Sequence, residues 1–142
     1  MKFLTKAKDG GYESTVTGYW LIEIKSLFSI VLLKFEGDSR DAYHNHAFNC
    51  FSWVLSGGLC ERFLPQRHGK CADSWHWPSW RPFITKRTYF HKVSSIGTSW
   101  VLSIRGPWRK QWQEYIPSQG GRGHGDYVIL TEGRKEVYRE SL

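Results

Sequence analysis

The sequence predicts an all-β fold, a sandwich or barrel of short strands. Three observations carry this. The apolar segments are short and rich in β-branched and aromatic residues. Glycine-based turn signals recur between them. Nowhere does a period of 3.6 persist long enough for an amphipathic helix. The chain has 142 residues, 40% hydrophobic and 16% aromatic, with eight tryptophans. That fits one folded domain over residues 1–142, with enough apolar material for a core.

The strands are expected in this order. "YWLIEI" (Tyr19 to Ile24) and "LFSIVLLKF" (Leu27 to Phe35) open the series. "NCFSWVLS" and "LCERFL" flank Gly57 and Gly58, a two-glycine signal for a hairpin turn between them. Pro65 to Phe83 then breaks the pattern, with three prolines, three tryptophans and no alternation. It predicts an irregular insertion at 65–83 whose tryptophans cover one open end of the barrel. "KRTYFHKVSS" (Lys86 to Ser95) and "TSWVLSIRG" (Thr98 to Gly106) flank Gly97 as the next pair. "KQWQEYI" (Lys110 to Ile116), "YVILT" (Tyr127 to Thr131) and "KEVYRE" near the C-terminus complete the set, with a glycine-rich loop over Pro117 to Tyr127.

The formal net charge is +7, but the basic residues are scattered and form no long run. Nucleic-acid binding therefore rests on net charge and aromatic count alone and stands as a minority reading, left open. Three cysteines, Cys50, Cys60 and Cys71, give an odd number without a regular framework, which argues against a disulfide-stapled secreted domain. No apolar run is long enough to span a bilayer or serve as a signal peptide. The expectation is a soluble protein of a reducing compartment, the cytoplasm of a bacterium or of a host cell, without a membrane partner.

The chemistry-bearing stretch is "DAYHNHAFNCFSWVLSGG" (Asp41 to Gly58). On a strand, residues two apart share a face, so His44 and His46 project together, and Cys50 can lie on that face as well. A second strand carries His91, with Tyr89 two residues before it on the same side. Three imidazoles from adjacent strands make one face of an octahedron and leave positions open for water, substrate or oxygen. The bland alternative is a polar strand end beside an ordinary core histidine. Arg62 and Arg105 also sit on strands, where a guanidinium can bind an anionic substrate group or form a rim ion pair. Cys60, His68, Cys71 and His76 have a spacing that matches no standard zinc finger.

The order His44-x-His46, three residues, Cys50, six residues, Gly57 resembles the first motif of the cupin superfamily, in which a carboxylate usually stands at the place of Cys50. His91 would be the histidine of the second motif. The resemblance covers roughly Gly37 to Pro107 and implies a single cupin-type β-barrel, a jelly roll. Within the superfamily, "HNHAFNCFSWVLSGGLCERF" and "FHKVSSIGTSWVLSIRGP" are similar to thiol dioxygenases of the cysteine dioxygenase type, which use three histidines and no carboxylate. "WVLSIRGPWRKQWQEY" is also similar to uncharacterised cupin-like proteins of phages and bacteria. The resemblance implies a divalent metal on His44, His46 and His91, Fe(II) foremost, with Zn, Ni or Mn as alternatives. Tyr89 and Cys50 would line the catalytic pocket, and Arg62 and Arg105 would bind a small thiol or metal-chelating substrate. The rival is a non-catalytic cupin acting as a ligand-binding or structural protein. A homodimer is expected by analogy alone.

Overall fold

A computed structural model describes residues 1–11, 14–38, 42–64, 72–117 and 125–141. In chain order the strands are β1 (Lys2–Lys8), β2 (Val16–Ile24), β3 (Phe28–Asp38), β4 (Tyr43–His44), β5 (Cys50–Ser56) and β6 (Leu59–Phe63). They continue with β7 (Asp73–His76), β8 (Phe83–Thr85), β9 (His91–Arg105), β10 (Gln111–Ile116), β11 (Asp126–Thr131) and β12 (Lys135–Ser141). A 3₁₀ turn, Glu132–Arg134, precedes β12. The main path of neighbours is β1-β2-β3-β9-β4-β10-β11-β12, with β5 and β6 on the other flank of β9, β8 outside β5 and β7 outside β6. The result is a jelly-roll-like antiparallel fold. Among the described residues no ladder joins β1 to β12, so the sheet is open rather than the closed barrel expected.

Strand β9 is the spine. On one flank, β3 and then β4 run antiparallel to it, from Ser29 opposite Arg105 to His44 opposite His91. On the other, β5 and then β6 do the same, from Cys50 opposite Arg105 to Phe63 opposite His91. Gly57 and Gly58 therefore do not close a hairpin. The chain passes through them in one direction along β9. A glycine pair supplies left-handed backbone equally well to a turn and to a kink, and here it is a kink.

That kink is part of a crease. Gly37 on β3, Gly57 between β5 and β6, and Gly97 on β9 all have positive φ, at 99°, 79° and 62°. The register places them at the same level of three adjacent strands, beside the pairs Glu36↔Thr98 and Ser56↔Trp100. Ser99 fastens the crease: its hydroxyl accepts from the Gly58 N–H at 2.9 Å and donates to the Gly58 carbonyl at 2.8 Å. At Gly57 a side chain has no room, since a Cβ would stand 2.4 Å from Ser99 Oγ and 2.7 Å from the Thr98 carbonyl oxygen. A straight strand of the length of β9 would separate its ends by about 46 Å. Instead Phe48 links the two ends, packing on Arg105 at one and on a neighbour of His91 at the other. Its ring lies 5.2 Å from that of His46, next to His91, and 4.7 Å from the Arg105 guanidinium.

The folded sheet encloses a core of Val16, Trp20, Val31, Leu33, Phe35, Val54, Leu59 and Val101. Burying each of these aliphatic or aromatic side chains contributes on the order of 1.5–3 kcal/mol. A smaller cluster of Ala47, Phe48 and Cys50 packs against Trp108 and Trp112. Between the two lies a cavity of about 520 Å³.

The insertion at 65–83 differs from expectation. Residues 65–71, including His68 and Cys71, lie outside the described residues. Beyond them Asp73–His76 forms a regular edge strand against β6, and Phe83 begins β8 against β5. Pro78 and Pro82 fall outside the ladders, where their missing N–H costs no hydrogen bond, so strands could form on either side of them. The tryptophans do not seal the barrel. Trp75, Trp77 and Trp80 are exposed, Trp75 and Trp77 stack at 6.4 Å, and Trp77 rests over Gly58.

Candidate metal centre

Strand β4 is only a dipeptide, yet it is held on both sides. His44 faces His91 across one ladder and Glu114 across the other. Asn45 then pins the chain: its N–H donates to the Gln113 carbonyl at 3.0 Å and its Oδ1 accepts from the Gln113 N–H at 2.7 Å. With Asn45 turned to β10, His44 and His46 both point into the cavity. The three rings form a nearly equilateral triangle, with centroid separations of 5.0 Å (His44–His46), 5.1 Å (His44–His91) and 4.9 Å (His46–His91). One ring nitrogen from each lies within 4.8 Å of the others. Nε2 of His46 and Nε2 of His91 are 2.7 Å apart. Two nitrogens bound at about 2.1 Å to one ion, at right angles, would be about 3.0 Å apart, close to what is seen.

Behind this triangle stands Glu61, which sequence reasoning missed. It is buried, with 3% of its surface exposed. Its Oε1 accepts from His91 Nδ1 at 2.5 Å, and its Oε2 accepts from His76 Nε2 at 2.8 Å. Burial is the strongest single influence on its carboxyl and pushes the pKa up. The hydrogen bonds and charge of His76 and His91 together outweigh burial and pull it down to about 2. Glu61 is therefore a carboxylate throughout the ordinary pH range. A carboxylate can only accept, so His91 donates from Nδ1, and in its neutral form Nε2 is left with a lone pair facing His44 and His46. That fixes the ligating tautomer. Three converging imidazoles with one ring oriented by a carboxylate fit a first-row divalent ion. When bound, such an ion supplies Lewis acidity and open coordination positions.

The other expected residues divide. Cys50 is buried and lines the cavity, opposite Thr85 and Arg105, but it does not join the group of converging ligand atoms. Arg105 also lines the cavity and is 4% exposed. Asp9 accepts from its Nη2 at 2.6 Å and its Nη1 at 3.3 Å. Burial works against the charged guanidinium, but the Asp9 carboxylate more than offsets it and raises the pKa. Arg62 and Tyr89 do not reach the cavity. Arg62 lies on the outer side of β6, where Nε and Nη2 donate to Asp73 at 2.9 and 3.0 Å. Strand parity explains it: Leu59 and Glu61 turn inward, so Arg62 turns outward. Tyr89 precedes β9, is exposed, and meets Phe63 edge-on at 5.8 Å, with Phe63 between it and His91. His76, one of the four residues whose spacing matches no standard zinc finger, is bound to Glu61 and stacks on Phe83 at 3.9 Å.

No family model and no curated protein matches the sequence. Solved structures do match the fold. The iron(II) form of HppE aligns with a TM-score of 0.54 at 16% identity, over 71% of this chain and 55% of that one. An RmlC-like cupin from Shewanella frigidimarina aligns with a TM-score of 0.50 at 13% identity, over 72% and 84%. Another, from Ralstonia eutropha, aligns with a TM-score of 0.50 at 14% identity, over 96% and 73%. The match thus spans little more than half the length of HppE. At these identities the likeness is one of fold, and the fold is that of cupins.

Proposed function

We propose that this cupin-fold chain is a metal-dependent protein acting on a small molecule, with a divalent ion, Fe(II) foremost, held by His44, His46 and His91. The observation that carries it is the convergence of three imidazoles with Glu61 orienting one from behind. A cavity built only for packing gains nothing from three adjacent imidazoles and a buried carboxylate, which together cost desolvation. The iron in HppE adds weight to iron over zinc, nickel or manganese.

The finer proposal is an oxygenase acting on a thiol or another metal-chelating metabolite. Three neutral imidazoles leave the ion its full positive charge, so an anionic chelating ligand is drawn to it. The cavity of about 520 Å³ suits a small metabolite. Its second pole is Arg105, where a carboxylate on the ligand competes with Asp9 for the guanidinium. Cys50, beside Arg105 on the sheet, is a contact for the bound molecule rather than a ligand to the ion. The rival is a non-catalytic ligand-binding cupin. It is favoured by the engagement of both Glu61 oxygens, which makes Glu61 a holder of rings rather than a proton shuttle. Loading with Fe(II) under anaerobic conditions and then following oxygen uptake with a panel of small thiols and hydroxy acids separates the two. Uptake that needs both metal and substrate, and is lost in His91→Ala, supports the oxygenase. Retained metal and ligand binding without uptake supports the rival.

A further inference from the structure

A second pocket, of about 440 Å³, adjoins the histidine triangle and shares Asn45, His46 and Trp112 with the main cavity. None of the residues lining it is acidic, and two are arginines, Arg87 and Arg109. Their surroundings set these two apart. Arg62, Arg105, Arg134 and Arg139 each pair with a carboxylate, and Arg81 lies over the Trp80 ring. Among the described residues, Arg87 and Arg109 have neither kind of partner. Their main chains are nonetheless fixed. The Arg87 N–H donates to Asn49 Oδ1 at 2.8 Å, and the Arg109 N–H donates to the Ala47 carbonyl at 2.7 Å. A turn closed by the Tyr89 N–H on the Lys86 carbonyl, at 3.0 Å, holds Arg87 and Thr88 at its corner. Both arginines are thus tied to the residues that directly follow His46. Gln113, also in the lining, accepts from Asn45 Nδ2 through its own Oε1 at 3.2 Å, which leaves its NH₂ to donate.

We infer that this pocket binds a doubly charged oxyanion group of a small molecule, a phosphate or a dicarboxylate. Two guanidinium groups of like charge line one concavity with no acid to offset them. Low-dielectric walls strengthen that repulsion relative to open water, and an anion placed between the two turns it into attraction. Each guanidinium offers paired N–H donors that match two oxygens of a carboxylate or phosphate, and two positive charges match a dianion better than a monoanion. The volume is that of a small-molecule pocket. A nucleic-acid strand would need cations at successive phosphates, whereas here they meet at one place. The site is distinct from the Arg105 end of the main cavity, where Asp9 already compensates the guanidinium. Its occupant lies against His46 and so bears on the metal centre proposed above, but binding of the anion itself does not depend on that reading.

Isothermal titration of inorganic phosphate into the full chain tests this, with the protein freed of metal by a chelator so that no phosphate is counted on an ion. Wild type should bind phosphate with a dissociation constant below about 1 mM at low salt, and Arg87→Gln and Arg109→Gln should each weaken it about 10-fold or more. Both variants keep the main-chain N–H that anchors the position, and circular dichroism checks the fold; should one fail to fold, the other carries the test. Lys86→Gln and Lys110→Gln remove the same charge from neighbouring exposed positions outside the lining, and should change affinity less than about twofold. Malonate and glycerol phosphate, titrated in parallel, separate a dicarboxylate from a phosphate ester as the source of the group, and tighter binding of either supports the inference. The inference is overturned if wild type binds none of the three anions, if the lysine variants lose as much affinity as the arginine variants, or if single-stranded DNA binds and the small anions do not. Because the protein is metal-free in this experiment, such a failure leaves the histidine centre to its own test.

Discussion

Replacing Glu61 with glutamine keeps the shape of the side chain and removes its charge. In the wild type each carboxylate oxygen accepts from one histidine, His91 at 2.5 Å and His76 at 2.8 Å. Glutamine has one acceptor oxygen and one NH₂, so one histidine meets a donor with its own donor. If that is His91, its Nδ1 must give up the proton and Nε2 must take it, and the ring no longer ligates. If it is His76, the His91 bond survives but loses its charge assistance. Averaged over the two, metal affinity should fall about 10- to 100-fold, or about 1.4–2.7 kcal/mol. The fold should lose less. A charge-assisted bond is exchanged for a neutral one, but a buried charge is also removed, so a net loss of about 1–2 kcal/mol is expected, a few degrees in the thermal midpoint. The assay is competition for Zn(II) or Co(II) against a chelator of known affinity, with circular dichroism as the control for folding. A folded Glu61→Gln protein that binds metal within twofold of wild type would refute the reasoning that Glu61 sets the His91 tautomer.

Other outcomes follow from the same geometry. His91→Ala should abolish metal binding while leaving the sheet folded, whereas Cys50→Ser, which removes a cavity contact and no ligand, should change metal affinity less than threefold; both are read by metal titration. Gly57→Ala should destabilise by about 3–4 kcal/mol, from left-handed strain plus the loss of the Ser99–Gly58 bonds, while Gly97→Ala, with nothing within 4 Å of its added methyl, should lose only about 1–2 kcal/mol. Equal midpoints in urea for these two variants would contradict the crease. Arg62→Ala should leave both metal affinity and ligand binding at the wild-type value, because its partner is Asp73 on the outer surface.

The histidine triangle was legible because two residues apart on a strand always share a face, whatever the tertiary fold. His91 was placed beside them only because the all-β reading required neighbours for its strand. Glu61 carried the same signal and was overlooked. It alternates with Leu59 on the inward side of β6, but a charged residue on a strand reads first as solvated, and only the two histidines that meet it show otherwise. Arg62 and Tyr89 failed for related reasons: parity turns Arg62 outward, and Tyr89 lies before β9 begins, where strand alternation no longer fixes its direction. Gly57 and Gly58 illustrate a limit of local chemistry. Left-handed backbone can serve a hairpin or a crease, and the choice is made by pairing with β9, far away in sequence. The strand β1 was not foreseen because every residue in it is exposed, leaving no burial pattern to read.

The central claim is that His44, His46 and His91 hold one metal ion. The most direct test is anaerobic reconstitution with Fe(II), followed by metal analysis and X-ray absorption of wild type beside the triple alanine variant of these histidines. The account predicts one iron per chain with three imidazole nitrogens at about 2.0–2.2 Å in the wild type and none in a folded variant. Wild-type protein that retains no metal, or a variant that retains it, would contradict the account.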